Sequence, residues 1–156
     1  MKPMNSVLKR RRQTGFSLVE VMITLVIMSV GMLGIAGLYV QSLQAGRTSM
    51  FRHNAVTLAG DVADRIRANP RAAIAYTAGA GTDNNCVTAG TDCTPGQMAA
   101  HDILLWKAQA LDSLPSGDVV VVFDGGVVPP TYQITISWIE PGETPTYVIM
   151  IPVLGI

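Results

Sequence analysis

At 156 residues the chain has the length of a single domain, and nearly half of its residues are apolar. Its formal net charge of zero conceals a segregation: residues 1–15 hold five of the eleven bases and no acid. Beyond them six bases face eleven acids, a balance of about −5, the opposite sign to the basic footprint of a nucleic-acid binder.

Residues 1–15 are polar and basic, with four consecutive bases from Lys9 to Arg12. Residues 15–40, GFSLVEVMITLVIMSVGMLGIAGLYV, follow as an apolar run. A bilayer-crossing helix needs roughly 20 apolar residues, and this run supplies them. The bases on its N-terminal flank orient that flank to the cytoplasm, so residues from about 41 onward face the other side. An ordinary secretory signal has a shorter apolar core with its cleavage site after it. Here the run is too long, and no cysteine follows Gly15 to carry a lipid.

Glu20 is the anomaly within the run. A carboxylate at the centre of a membrane costs about 2.5–3.5 kcal/mol on insertion scales, so Glu20 either marks a functional position or lies close enough to the cytoplasmic headgroups to stay wet. Ser17 and Glu20 also have the spacing of a capping box, and a helix N-terminus favours a negative side chain. Gly31, Gly34 and Gly37 interrupt the run, each weakening a helix by about 1 kcal/mol relative to alanine. Small residues also let membrane helices approach closely.

The stretch KRRRQTGFSLVEVMITLVIMSVGMLGIAG resembles the leader and first helix of type IV prepilins and type II secretion pseudopilins. The resemblance implies that a prepilin peptidase cuts after Gly15 and methylates the new amino terminus at Phe16. It also implies that Glu20 pairs with the terminal ammonium of a neighbouring subunit during assembly, and that the helix has a weak point near residues 31–37. The apolar helix is then retained as an inner-membrane anchor and filament core.

Past residue 40 the helical pattern turns amphipathic. Phe51, Ala55, Leu58, Val62 and Ile66 form one stripe, with Arg52, Asp61, Asp64, Arg65 and Arg67 largely off it. Asp61 and Arg65 stand in the favourable i, i+4 order. Asn69-Pro70 stops the helix at about residue 68. Residues 71–78 read as a short helix, followed by a turn-rich loop. That loop holds Cys86 and Cys93, whose seven-residue separation suits a disulfide outside the cytoplasm. So small a ring stabilises by roughly 2–3 kcal/mol.

Thr94-Pro95-Gly96-Gln97 has the signature of a helix start. The helix runs to about Leu114, with Ala100, Ile103, Trp106, Ala110, Leu111 and Leu114 on its apolar face and His101 and Asp102 opening the exposed side. Residues 119–123, 131–140 and 147–153 read as strands, the second alternating clearly, with Tyr132, Ile134, Ile136 and Trp138 on one face. Pro152 marks an edge or a strand end. The fold class is α+β and pilin-like: a long helix, half transmembrane and half amphipathic, packed on a small antiparallel meander with one extra helix.

The pattern offers no nucleophile with its base, no phosphate loop and no metal-ligand cluster, so no enzyme and no cofactor is expected. Asp102-x-x-x-Trp106, Leu111-x-x-Leu114-Pro115-x-Gly117 and Ile136-Ser137-Trp138 resemble the PilV type of minor pilin. The implied organisation is a removed leader at 1–15, a membrane and filament-core helix at 16–40, and a periplasmic domain at 41–156. The implied role is type IV pilus assembly. Implied partners are the prepilin peptidase, other minor pilins, the major pilin, the inner-membrane assembly platform and a tip adhesin. The rival readings are a minor pseudopilin of a type II secretion system and a pilin for adhesion or DNA uptake. For the first, Asp83, Asp92, Glu140 and Glu143 are sparse as a calcium site. For the second, Arg65, Arg67 and Arg71 form the basic patch to watch.

Overall fold

The computed structural model of the protein describes residues 15–88, 90 and 92–153. The basic leader lies outside these residues up to position 14. Helix α1, Leu18–Ala68, crosses the boundary between two compact units, Met1–Gln44 and Ala45–Ile156.

In the first unit α1 runs through Gly31, Gly34 and Gly37 without a break, and its side chains lie exposed. The backbone amides of Glu20 and Val21 both donate to the Ser17 carbonyl. The predicted capping box is not formed: among the described residues no side-chain bond joins Ser17 and Glu20. The carbonyl has taken the role that the hydroxyl was expected to fill.

In the second unit α1 buries Ala55, Leu58, Val62 and Ile66 as the stripe foretold, with Ala59 and Ala63 between them and Phe51 half-buried at its start. Arg65 and Arg67 occupy the last turn, where cations complement the helix dipole. Asn69 closes α1 by donating its amide to the Arg65 and Ile66 carbonyls, and Pro70 opens a 3₁₀ segment, Pro70–Thr77. The segment kinks at Ala73, whose φ is 46°. Tyr132 donates its hydroxyl to the Ala73 carbonyl at 2.7 Å and fixes that kink to the sheet.

Helix α2, Pro95–Ser113, starts as its sequence dictates. The Thr94 hydroxyl accepts from the Gln97 amide, and the Gln97 side chain accepts from the Thr94 amide. Ala99, Ile103, Trp106 and Ala110 face the core, with Leu114 just beyond. Leu111, expected on that face, is exposed, because Ala110 and Leu114 already fill the inward positions of the last turn.

Strands β1 (Asp118–Asp124), β2 (Thr131–Ser137) and β3 (Thr146–Pro152) form the expected antiparallel meander in the order β1-β2-β3. Ile134 pairs with Val121 on one side and Ile149 on the other. Tyr132, Ile134, Ile136 and Trp138 face inward and share one core with the α1 stripe and with Trp106. Tyr76 stacks on Trp106 with ring centroids 5.6 Å apart, which brings the 3₁₀ segment into that core.

Candidate assembly site

Among the described residues nothing covers the membrane-length half of α1. Its most apolar 18-residue window buries nothing, and α1 is long and apolar enough to cross a membrane. Val19, Met22, Ile23, Val26 and Ile27 line a shallow apolar hollow along it. Side-chain hydroxyls in this half bond to their own helix: Thr24 donates to the Glu20 and Val21 carbonyls, and Ser29 to that of Val26. A helix with its backbone and hydroxyls satisfied internally is the form of chain that lipid tolerates. Phe16 and Glu20 are exposed, and no ion pair reaches Glu20 among the described residues. A Cβ placed on Gly31, Gly34 or Gly37 would meet open space, so these glycines answer to no contact among the described residues.

The second unit is braced by a polar clamp. Arg65 donates to Asp61 at 3.1 Å and to Asp102 at 2.9 Å. Tyr76 donates to the other oxygen of Asp102 at 3.3 Å, and Asn69 donates to Tyr76 at 3.2 Å and to the Pro95 carbonyl at 2.9 Å. The clamp ties the end of α1, the 3₁₀ segment and α2 together. Burial pulls the Arg65 guanidinium down, but its bond to Asp102 and the charges of Asp61 and Asp102 outweigh that and hold it above its ordinary value. Burial, with the Asp102 carboxylate beside it, pushes the Tyr76 phenol up to about 12, against the opposing pull of the Asn69 bond.

His101 and Asp102 therefore do not open an exposed side; both are buried. The turn-rich loop covers the first of them. Gly81 lies so close to the Leu104 backbone that any Cβ there would collide, Thr82 donates its amide to the Ala100 carbonyl, and Asn84 reaches the Gln97 carbonyl. His101 Nδ1 lies 3.3 Å from Asp83 Oδ1, yet neither ring nitrogen has a hydrogen-bond partner among the described residues. Cys86 and Cys93 are joined as a disulfide within the same loop.

A second buried acid holds the other end of the unit. Glu140 accepts from the Trp138 indole at 2.8 Å and from the Thr48 hydroxyl at 2.6 Å. These bonds hold its carboxyl below the usual carboxylate range. They pin the end of the sheet to α1.

Residues 10–36 match the family model described as the prokaryotic N-terminal methylation motif, and residues 37–104 match that of "Type IV pilin Tt1218". The two matches support a type IV pilin. No curated protein and no solved structure matches the chain.

The first match contains Gly15, Phe16 and Glu20; the second carries the core stripe of α1, the 3₁₀ segment, the disulfide loop and the start of α2. Type IV pilins are structural subunits, not a family of enzymes. Among the described residues no group of three or more His, Cys, Asp or Glu side chains could hold a metal ion, and Glu140 is committed to Trp138 and Thr48. Of the three arginines in the basic patch, Arg65 pairs with Asp61 and Asp102, and Arg67 with Asp64 at 3.0 Å.

The clamp escaped the sequence reading. Asp61 and Arg65 were legible as an i, i+4 pair, but Asp102 and Tyr76 join them across 37 and 11 positions. Helical periodicity carries no signal at such separations. The Glu140 contact had a faint one: Trp138 lies two positions before it, on the same side of an extended chain.

Proposed function

We propose that the chain is a minor pilin of the PilV type that takes part in type IV pilus assembly. The observation that carries the reading is the apolar half of α1. It follows a basic leader and the Gly15-Phe16 pair, holds one acid at Glu20, and is exposed along its length. Such a surface is stable only in lipid or against like helices of other subunits. The chain inserts with its leader in the cytoplasm and residues 41–156 in the periplasm. A prepilin peptidase cuts after Gly15 and methylates Phe16. Glu20 then meets the terminal ammonium of a neighbouring subunit, an exchange that removes an unpaired carboxylate from an apolar medium. The subunit enters the filament with other minor pilins and the major pilin, through the inner-membrane assembly platform, and its far end serves a tip adhesin.

The subtype rests on the second unit. Asp102 anchors the clamp and Trp106 stacks on Tyr76. Leu114 is buried, and a Cβ on Gly117 would strike the Ala110 carbonyl, so the Leu111-x-x-Leu114-Pro115-x-Gly117 run describes one tight helix exit.

The test is intact-mass spectrometry of the chain from membranes of cells with and without the peptidase. The expected mature form starts at Phe16 and carries one added methyl group, only where the peptidase is present. A leader retained in both strains overturns the reading. Gly15→Ala is expected to block the cut, and Glu20→Ala to leave the cut intact while the chain drops out of sheared filaments.

A further inference from the structure

The two edges of the sheet are not alike. β1 begins and ends on an acid, Asp118 and Asp124, and packs against both the 3₁₀ segment and α2. β3 reads TYVIMIP, with no charge on either face, and among the described residues its neighbour in the sheet is β2 alone.

The ladder shows which backbone groups of β3 are free. The Val153 amide donates to the Pro130 carbonyl, and the Trp138 amide to that of Pro145. Both pairs continue the β2–β3 register. Hydrogen-bonded pairs alternate with non-bonded ones in an antiparallel ladder, so Tyr147, Ile149 and Ile151 turn their backbone groups toward β2. Thr146, Val148 and Met150 turn theirs outward, and Pro152, which has no amide to offer, also stands at an outward position. Val148 is 42% exposed and Met150 68%. By register they continue two rows across the sheet's outer face, Val120-Thr135-Val148 and Val122-Gln133-Met150. Natural sheets blunt a bare edge with charge, bulges or a covering element, and β3 has only its terminal proline.

We propose that the β3 edge docks an extended, uncharged segment of a different subunit of the same filament, which adds a fourth strand beside Val148 and Met150. The backbone ladder demands an extended partner, and the uncharged faces favour side chains without charge. A second copy of this chain does not suit. Antiparallel β3–β3 pairing relates the copies by a two-fold axis through the sheet, and α1 lies against the inner face of that sheet. The two helices would then run in opposite directions, whereas subunits drawn from one membrane share a direction. In a copy of the same direction the other sheet edge is β1, which carries Asp118 and Asp124 at its ends, unlike an uncharged strand, and packs against the 3₁₀ segment and α2. This inference rests on the pilin reading above.

The test uses the full chain in its own membranes and sheared filaments, with a photo-crosslinking residue introduced as Met150→p-benzoylphenylalanine. Adducts are mapped by mass spectrometry, and the mature N-terminus is read in the same sample. The expected adduct joins position 150 to a short uncharged segment of another pilin-class chain. Val148→Pro removes an outward amide and leaves the β2–β3 ladder whole, so it is expected to cut the adduct at least five-fold. Protected Ile149 and Ile151 amides in hydrogen exchange show that this variant is still folded. A mature chain without adduct overturns the proposal, as does an adduct on a charged helix or on a second copy's β3. So does a yield indifferent to Val148→Pro in the folded variant. An uncut leader instead overturns the pilin reading, and this proposal with it.

Discussion

The two halves of α1 are one helix under opposite demands. In residues 18–44 apolar side chains point in every direction and none is buried, while in residues 45–68 a buried stripe gathers most of them, and charged and polar residues, with Met50 and Val56, take the exposed side. Identical backbone hydrogen bonding serves both, so the difference lies in the medium that each half needs. The second half obtains its apolar surroundings from its own domain. The first half finds none among the described residues and must be supplied from outside, by lipid or by other helices.

The sharpest way to break that comparison is to truncate one leucine from each half. Leu58 is 1% exposed and Leu33 74%. Leu58→Ala is expected to lower the stability of the second unit by about 2–5 kcal/mol, measured by denaturant unfolding in detergent. Leu33→Ala is expected to leave that midpoint unmoved. Equal losses would mean that the first half supports the domain after all.

The clamp offers the next test, since it marks where α1 has become part of a domain. Asp102→Ala leaves Arg65 and Tyr76 without their shared acceptor and is expected to cost about 2 kcal/mol, the scale of hydrogen bonds to charged groups. The phenol of Tyr76 is held up at about 12 from an ordinary 10, so the fold favours its neutral form. The stabilisation from that preference is complete below about pH 10 and disappears as pH climbs toward 12. Tyr76→Phe is expected to flatten the alkaline fall in unfolding midpoint between those values. An unchanged pH profile would show that the phenol does not titrate with unfolding.

The smallest expected effect concerns α2, which lies wholly in the second unit. Thr94→Ala breaks the capping box and is expected to cost about 1 kcal/mol. Its unfolding midpoint would fall together with that of the whole unit. A separate early transition would instead mean that α2 melts alone, and that the clamp does not bind it to α1.

Local rules made the element list legible. The Asn69-Pro70 stop, the Thr94 capping box, the alternation from Tyr132 to Trp138 and the stripe from Ala55 to Ile66 each follow from a period or a backbone constraint a few residues long. The same rules failed at His101, Asp102 and Leu111. Exposure there is set by what packs alongside α2, namely the disulfide loop on one flank and Arg65 with Tyr76 on the other. They failed also at Ser17 and Glu20, where a backbone carbonyl replaced the capping hydroxyl.

The sequence by itself determined that residues 15–40 form one apolar run, that a basic flank precedes them, and that a lone acid stands among them. Those properties are written in consecutive residues and need no fold to act. Only the tertiary structure decided which acids are buried and which stay exposed. Asp102 and Glu140 look alike in the sequence to Asp83 and Glu143, but long-range packing buries the first two against Arg65, Tyr76, Trp138 and Thr48. The open edge of β3 was likewise decided there, because which side of a strand is left unpaired depends on the order in which the strands assemble.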